Sequence, residues 1–568
     1  MGSKSSLSQS QSSLRQKRFL ICILLVSLPL LLFLLCLMHK RVVSINNMVQ
    51  VDPKPRPTWF DIIAKGVNDK NKIKVGVVNF DARVDGSVYE QLYALHPQVE
   101  AVSIDFDRVN ENLKWEDFFP EWIDEDRKWG EPKCPEMPMP VLENYGDLNV
   151  VVAKVECGIR DVFRLQVNLV VANLAVESGW VNKMGNGHKQ VYVVFIGSCG
   201  PMVEIFRCDD LLMHQGEFWL YNPDLRTLKQ QMLMPVGSCQ IAPGYAETGK
   251  EVWRTHMPQL SKSTKHNYTT RVPKLAYVTV LHSSEAYVCG AIALAQSIFQ
   301  TKKHAFPTIR DLILLADKSI GPESIKGLKA AGWKIKRIER ILSPFAEKTA
   351  YNRWNYSKLR IWQLTMYDKV IFIDSDLLVL NNIDHLFVYP QLSAAPNEYT
   401  IFNSGLMIIE PSQCMFETMM EKTNKVRSYN GGDQGFLNQI FTWWHRLPTK
   451  LNYLKVFHQS DSEKRHEVPD DVDVIHYLGL KPWMCYRDYD CNWDVQERQI
   501  FASDSAHKRW WQVYDAMPKQ LQSYCGLTKK MNENIVKWRR RAKRNASFSD
   551  GHWKIEVKDP RRKHYHSD

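Results

Sequence analysis

The chain has 568 residues, of which 44% are hydrophobic and 24% are charged, and its formal net charge is +12. The composition excludes a disordered or fibrous protein, and the length exceeds what one hydrophobic core supports, so two or more domains are predicted. An excess of positive charge is typical of nucleic-acid partners, but the lumenal location predicted below excludes them.

The first predicted element is a transmembrane helix at residues 19–38. These twenty residues carry no charge, and a stretch of this length is long enough to cross a bilayer as a helix. No small-residue cleavage site follows them. We predict an uncleaved signal anchor, preceded by a cytosolic tail at residues 1–18 and followed by a stem at residues 39–72. The short tail and the large body favour a single-pass type II membrane protein with the body in the lumen. A short span suits the thinner membranes of the early secretory pathway.

Residues 73–250 are predicted to form a smaller α/β domain. Three apolar runs, at residues 74–80, 148–153 and 190–195, are typical of buried strands, and the segments between them are long enough for helices. No catalytic constellation occurs in this domain, and its role stays open.

A second α/β domain is predicted at residues 271–500. A strand at 274–280, a helix at 286–299, a strand at 311–315, a helix at 323–331 and a strand at 333–338 alternate, as in nucleotide-binding folds of parallel type. Residues 501–568 are rich in tryptophan and lysine and are predicted to be a basic helical extension. Twelve cysteines are present without zinc-ligand spacing. A lumenal location allows disulfides, for example Cys485 with Cys491, although pairing cannot be read from the sequence.

The strongest chemical signal follows the buried run Val370–Ile373. Asp374 and Asp376 stand two residues apart where that strand ends, and in an extended segment residues i and i+2 point the same way. Two carboxylates at the carboxyl end of a strand predict a divalent-cation site able to hold the diphosphate of a nucleotide-sugar. The alternative is that one Asp caps a turn and the other lies in solvent.

Three further segments supply polar groups to the same end of the predicted sheet. Lys358, on a predicted helix, offers an ammonium for a departing diphosphate, or it is a solvated lysine. Asn403–Gly405 either approaches a sugar or forms a simple turn. In Asn430–Gly435, Asp433 is either functional or an N-cap, whereas Gln434 offers an amide oxygen that can stabilise an oxocarbenium ion.

His476 ends a predicted strand at residues 472–476 and can complete the coordination of the two carboxylates. Mixed oxygen and nitrogen ligation favours Mn²⁺ over Mg²⁺. Lys481 follows five residues later, within reach of a phosphate.

Taken together, these segments resemble glycogenin and its relatives in glycosyltransferase family 8, over residues 274–484. The matching blocks are Tyr277–Val280 with Tyr287, Ser357–Trp362, Ile373–Leu380, Ser393–Pro396, Phe402–Gly405, Gly431–Gly435, His476–Gly479 and Lys481–Trp483. The resemblance implies a nucleotide-diphospho-sugar transferase fold of the GT-A type, a UDP-sugar donor, Mn²⁺ as cofactor and retention of the sugar configuration.

The resemblance also assigns residues. It implies Asp374, Asp376 and His476 as metal ligands and Lys358, Asp433 and Gln434 as catalytic groups. It implies that substrate is bound by Tyr287, Asp374, Ser375, Asp376, Asn403, Ser404, Gly405, Asn430, Gly431, Gly432, Asp433, Gln434, His476, Tyr477, Leu478, Gly479, Leu480 and Lys481. The sequence departs from the family at Asn430, where an acidic residue is usual.

The membrane anchor and the extra N-terminal domain are similar to those of the plant members that add α-linked glucuronic acid to xylan in the Golgi. This implies a retaining transferase that uses UDP-glucuronic acid and a xylan acceptor in cell-wall synthesis. Two alternatives stay open: a UDP-glucose or UDP-galactose transferase acting on another glycan or a protein, and a non-catalytic scaffold.

Overall fold

A computed structural model describes residues 58–66, 72–80, 99–179, 189–243, 273–301, 310–457, 466–545 and 551–563. The chain separates into two units, residues 1–68 and 69–568. In the first unit, the helix α1 (Thr58–Gly66) is the described element. The predicted span at 19–38 and most of the predicted stem lie outside the described residues. Within the described ranges, no helix is both long and apolar enough to cross a membrane.

The N-terminal part of the second unit is built on a six-stranded sheet. Its strands are β1 (Ile73–Val78), β2 (Val99–Ser103), β3 (Val150–Lys154), β4 (Tyr192–Ile196), β5 (Leu211–Gln215) and β6 (Phe218–Tyr221). The order is β2-β1-β3-β4-β6-β5, with the first four strands parallel and the last two antiparallel. Its helices are α2 (Trp115–Phe118), α3 (Val162–Gly179) and α4 (Leu225–Met232). The three strands predicted from apolar runs are confirmed as β1, β3 and β4.

The second sheet positions the candidate site. Its strands are β7 (Leu275–Leu281), β8 (Asp311–Ala316), β9 (Lys334–Arg337), β10 (Lys369–Ile373), β12 (Ser393–Pro396), β13 (Phe402–Ile409) and β14 (His445–Arg446). A small sheet beside it contains β11 (Leu377–Val379), β15 (Tyr453–Leu454) and β16 (Val474–His476). The helices of this part are α5 (Val288–Thr301), α6 (Pro322–Ala330), α7 (Gln413–Lys422) and α8 (Asp433–Ile440).

This second sheet is mixed: the predicted parallel alternation is confirmed for one half, and the other half contains an antiparallel pairing that was not predicted. The order is β14-β12-β13-β10-β7-β8-β9, and the predicted alternation gives the parallel half β10-β7-β8-β9. β13 then pairs with β10 in the antiparallel sense, with Ile373 opposite Leu406. Every residue of both strands is buried, and a strand that is buried on both faces shows no alternation that would indicate its direction.

The six-stranded and the seven-stranded sheets of the second unit are joined by covalent and ionic contacts. The disulfide Cys208–Cys414 links the N-terminal part to α7. Beside it, the carboxylate of Glu410 lies 2.8 Å from Arg207 Nη1 and 3.4 Å from Lys369 Nζ. Because Glu410 is buried, these contacts fix one part against the other.

The C-terminal segment forms helices, as predicted, and packs against α5. They are α9 (Asp504–Ala516), α10 (Lys519–Gln522) and α11 (Lys529–Arg544). The disulfide Cys289–Cys525 ties this segment to α5. All ten cysteines within the described residues are paired, the remaining pairs being Cys134–Cys239, Cys157–Cys199 and Cys485–Cys491. The last pair is the one named from the sequence.

Candidate active site

The two acidic residues lie on a turn rather than on an extended strand. β10 ends at Ile373, and the amide of Leu377 donates to the carbonyl of Asp374 at 3.1 Å, which closes a turn over Asp374–Asp376. The expected i, i+2 alternation was therefore wrong at this point. The two side chains converge because the turn brings them together where β10 passes into β11.

The register of the small sheet brings the imidazole to the same turn. Leu377 of β11 lies opposite His476 of β16, and the Tyr477 amide donates to the carbonyl of Asp376 at 3.0 Å. One ligand atom from each of Asp374, Asp376 and His476 lies within 4.8 Å of the other two. The sequence prediction that these distant segments meet is therefore confirmed.

The charges at this cluster suit a cation. Burial lowers the pKa of His476 to about 4, so the ring is neutral and able to ligate at physiological pH. Burial raises the pKa of Asp374 to about 7. Burial also acts to raise the pKa of Asp376, but the charge and hydrogen bond of Lys481, together with His476 and a backbone hydrogen bond, outweigh it, and the net shift is downward. Two carboxylates and a neutral imidazole form a donor set that fits one divalent cation.

Lys481 is a cationic side chain that lies beside the cluster. Lys481 Nζ lies 2.7 Å from Asp376 Oδ2 and also donates to the Tyr477 carbonyl. The ring of Tyr287 lies 6.0 Å from that of Trp483, just beyond Lys481 in the chain. The Lys481 ammonium thus lies at the edge of the acidic turn, paired with Asp376.

Lys358 joins the acidic turn to the start of α8. It lies on the 3-10 helix Tyr351–Gln363, and its Nζ is 3.2 Å from Asp374 Oδ2 and 2.5 Å from Asp433 Oδ2. Nζ also donates to the Ser404 carbonyl at 3.1 Å. Burial lowers the pKa of Lys358, but the two carboxylates outweigh it and raise the pKa to about 12. The ammonium therefore neutralises two acids at once.

Both oxygens of Asp433 are engaged. Oδ2 accepts from Ser404 Oγ at 2.9 Å as well as contacting Lys358, and Oδ1 accepts from Asn355 Nδ2 at 3.2 Å. The N-cap of α8 is Gly432, so the alternative that Asp433 merely caps the helix was wrong.

Gln434 is held in one orientation by two partners. Its Oε1 accepts from the Ser404 backbone amide at 3.1 Å, and its Nε2 donates to the Tyr429 hydroxyl at 2.8 Å. A backbone N–H can only donate, so the carbonyl end of Gln434 is identified by its partner. Tyr429 is 56% exposed, which places this pair at the mouth of the site.

The loop before α8 is stabilised from within by Asn430. Its Oδ1 accepts from the amides of Gly432 at 2.9 Å and Gly435 at 3.2 Å. Gly431 has φ +69°, a left-handed conformation that favours glycine. The Asn430 side-chain oxygen, predicted to contact substrate, is thus used to shape the loop that carries Asp433.

Residues 477–480 divide between packing and loop geometry. The Tyr477 hydroxyl donates to the Ala506 carbonyl at 2.8 Å, and Leu480 packs in an apolar cluster with the C-terminal segment. Gly479 has φ +73°, and Leu478 is half-buried. The predicted contact of these four residues with substrate stays a prediction.

The structure adds residues that sequence reasoning did not find. Asn452 lies 3.1 Å from the ring of His476, Asn355 contacts Asp433, and Tyr429 contacts Gln434. None of these residues belongs to a sequence motif, and each reaches the site only through the fold. The signal available beforehand was that Asn355 precedes Lys358 in one block and that Tyr429 precedes the glycine-rich loop.

Comparison with protein-family models gives two matches. Residues 50–239 match the GUX1-5 N-terminal domain. Residues 278–394 and 390–485 match glycosyl transferase family 8. The second match covers the acidic turn, Lys358, Gln434 and His476.

Comparison with known proteins gives long matches. UDP-glucuronate:xylan alpha-glucuronosyltransferase 2 of Arabidopsis thaliana is 48% identical over 92% of this chain and 86% of its own length. UDP-glucuronate:xylan alpha-glucuronosyltransferase 1 of the same plant is 42% identical over 89% of this chain and 74% of its own. Among solved structures, the galactosyltransferase LgtC with donor and acceptor sugar analogues matches 44% of this chain and 99% of its own, at 16% identity and a TM-score of 0.33.

Proposed function

The chain belongs to glycosyl transferase family 8 and is a glycosyltransferase, and from that membership we propose that it transfers glucuronic acid from UDP-glucuronic acid to xylan. The names of its relatives supply the donor and the acceptor. The observation that carries the chemistry is the convergence of Asp374, Asp376 and His476 within 4.8 Å.

We assign Mn²⁺ to this cluster, held by the two carboxylates and the imidazole. Mixed oxygen and nitrogen ligation suits Mn²⁺ better than Mg²⁺. When bound, the ion supplies Lewis acidity to the leaving diphosphate. Lys481, whose Nζ lies 2.7 Å from Asp376 Oδ2, adds an ammonium that binds a phosphate oxygen on the same side.

The proposed reaction retains the sugar configuration by a same-face route. A double displacement needs a free nucleophile on the far face of the sugar. Asp433 fits that role poorly, because Lys358, Ser404 and Asn355 occupy both of its oxygens. Gln434 is neutral and fixed by a backbone amide, so its carbonyl oxygen is placed to stabilise a positive anomeric carbon without attacking it.

Lys358 acts by keeping the site assembled rather than by contacting the diphosphate. Its ammonium bridges Asp374 of the metal cluster and Asp433 of α8, and it is almost fully buried. Ser404 contacts Lys358, Asp433 and Gln434, so β13 holds the reacting side of the site to the metal side.

We further propose that the protein works in the Golgi lumen as a single-pass type II membrane protein anchored by residues 19–38. Support comes from the uncharged stretch at 19–38 and from the pairing of all ten cysteines in the described part of the chain. Disulfides form and persist in oxidising compartments, which include the secretory lumen.

The full chain should be incubated with xylo-oligosaccharides, Mn²⁺ and either UDP-glucuronic acid, UDP-glucose or UDP-galactose. We expect a product heavier by one glucuronosyl residue, and none of comparable yield with the other donors. A product formed from UDP-glucose or UDP-galactose instead would replace this proposal with the alternative transferase. Absence of transfer and of donor hydrolysis with every donor would favour a scaffold.

A further inference from the structure

Two asparagine side chains, Asn403 and Asn452, connect the backbone of β13 to the imidazole of the metal cluster. The connection starts at the amide of Gly405, which donates to Asn403 Oδ1 at 2.8 Å. Because a backbone amide can only donate, this contact identifies the oxygen of the Asn403 side chain. Its nitrogen then faces the other way, where Nδ2 donates to Asn397 Oδ1 at 2.9 Å.

The next link transmits this orientation to Asn452. Asn452 Nδ2 donates to Asn403 Oδ1 at 2.9 Å, since an oxygen must be met by a donor. The oxygen of Asn452 therefore faces His476, and its Oδ1 lies 3.1 Å from the ring nitrogen Nδ1. An acceptor at that distance requires that Nδ1 carries the proton.

The position of this proton determines the state of the other ring nitrogen, Nε2. With the proton on Nδ1, the Nε2 atom of His476 keeps its lone pair, and Nε2 lies 3.6 Å from Asp376 Oδ1. This is the nitrogen that faces the acidic turn. A cation held between them needs that lone pair, because a protonated nitrogen cannot ligate a metal.

The ring also has no room to turn away. A Cβ atom at Gly405 would lie 2.6 Å from His476 Cε1, so the imidazole packs directly on the backbone of β13. Asn452 is 2% exposed and Asn403 is 7% exposed, so water has little access to replace either contact. Asn452 ends the 3-10 helix Thr449–Asn452, next to β15, which pairs with β16.

We propose that Asn452 is a positioning residue of the metal site, which fixes the tautomer of His476 through a relay that begins at the backbone of β13. The inference rests on the proposed function, because it takes His476 as a ligand of the cation. The proposal also assigns Asn403 to this relay, because its side-chain oxygen accepts from Gly405 and Asn452 and its nitrogen donates to Asn397.

The test is the affinity of the full chain for Mn²⁺, measured without sugar donor from the electron spin resonance signal of the free ion. Asn452→Ala is expected to weaken Mn²⁺ binding about 10- to 100-fold, the usual effect of losing a partner that orients a ligand.

Two further variants separate positioning from general destabilisation. Asn168→Ala removes a fully buried asparagine from the N-terminal part, where its Oδ1 accepts from the Met202 amide at 3.0 Å. It is expected to lower the unfolding temperature and to leave Mn²⁺ affinity unchanged. Asn452→Ser keeps a polar group but is too short to join Asn403 to His476, and it covers the case in which Asn452→Ala fails to fold.

The proposal is overturned if folded Asn452→Ala or Asn452→Ser binds Mn²⁺ as tightly as the unaltered chain. Failure of the unaltered chain to bind Mn²⁺ at all would instead reject the metal assignment of the proposed function, so the two failures are distinguishable.

Discussion

Replacing Lys358 by methionine is the change whose effect on the free energy of unfolding the structure defines best. Methionine keeps much of the length and apolar volume of the lysine stem but removes the ammonium that contacts Asp374 and Asp433. The side chains of Lys358 and Asp433 are 8% and 6% exposed, and their charged atoms lie 2.5 Å apart. The substitution therefore leaves a nearly buried carboxylate without its cation.

The expected loss of unfolding free energy is about 3–5 kcal/mol, the usual cost of removing one partner from a buried ion pair. Asp374 adds little to this figure, because its pKa is already raised to about 7 and the carboxyl can take up a proton once the ammonium is removed. The double variant Lys358→Met/Asp433→Asn removes the unpaired charge as well and is expected to recover most of the loss.

The measurement is denaturant unfolding of the full chain without metal. Lys450→Met is a matched control, because the Lys450 side chain is 48% exposed and its Nζ lies 3.5 Å from Asp473 Oδ2. An exposed pair of this kind contributes at most about 1 kcal/mol. The reasoning is refuted if Lys358→Met costs no more than Lys450→Met, or if Asp433→Asn fails to restore stability.

Three further outcomes are expected. Asp376→Ala should abolish Mn²⁺ binding and lower glucuronosyl transfer by several orders of magnitude with an unchanged circular dichroism spectrum, and surviving transfer would count against the metal site. Tyr429→Phe removes the hydroxyl that accepts from Gln434 Nε2. In steady-state assays it should lower kcat about two- to tenfold and leave KM for the donor little changed. An unchanged kcat would show that this contact does not orient Gln434. Glu410→Gln removes the carboxylate that Arg207 and Lys369 share, and it should lower the free energy of unfolding by about 3 kcal/mol in denaturant unfolding. A loss below about 1 kcal/mol would mean that this contact does not hold the six-stranded and seven-stranded sheets together.

Much of the fold follows from local patterns in the sequence. The buried strands β1, β3, β4 and β10 were predicted because each is a short apolar run rich in β-branched residues. The direction of β13 was not predictable, since a strand that is buried on both faces looks the same either way round. The end of β10 at Ile373 was predicted, but the turn at Asp374–Asp376 was missed, because the sequence does not show whether the residues after the strand stay extended.

The candidate site divides in the same way. Its ligands were predictable because carboxylates and a histidine at strand ends carry a chemical signal of their own. Their supporting residues were not, since the role of Asn452 depends on a β15–β16 pairing that joins segments about twenty residues apart. The engagement of both oxygens of Asp433 likewise depends on Ser404 and Asn355, which come from two other elements.

Pulsed electron spin resonance of Mn²⁺ bound to the full chain tests the central claim most directly. The structure predicts coupling of the ion to one imidazole nitrogen, from Nε2 of His476, and loss of that coupling in His476→Gln. A bound ion without nitrogen coupling, or coupling that persists in His476→Gln, would contradict the assignment of His476 to the metal.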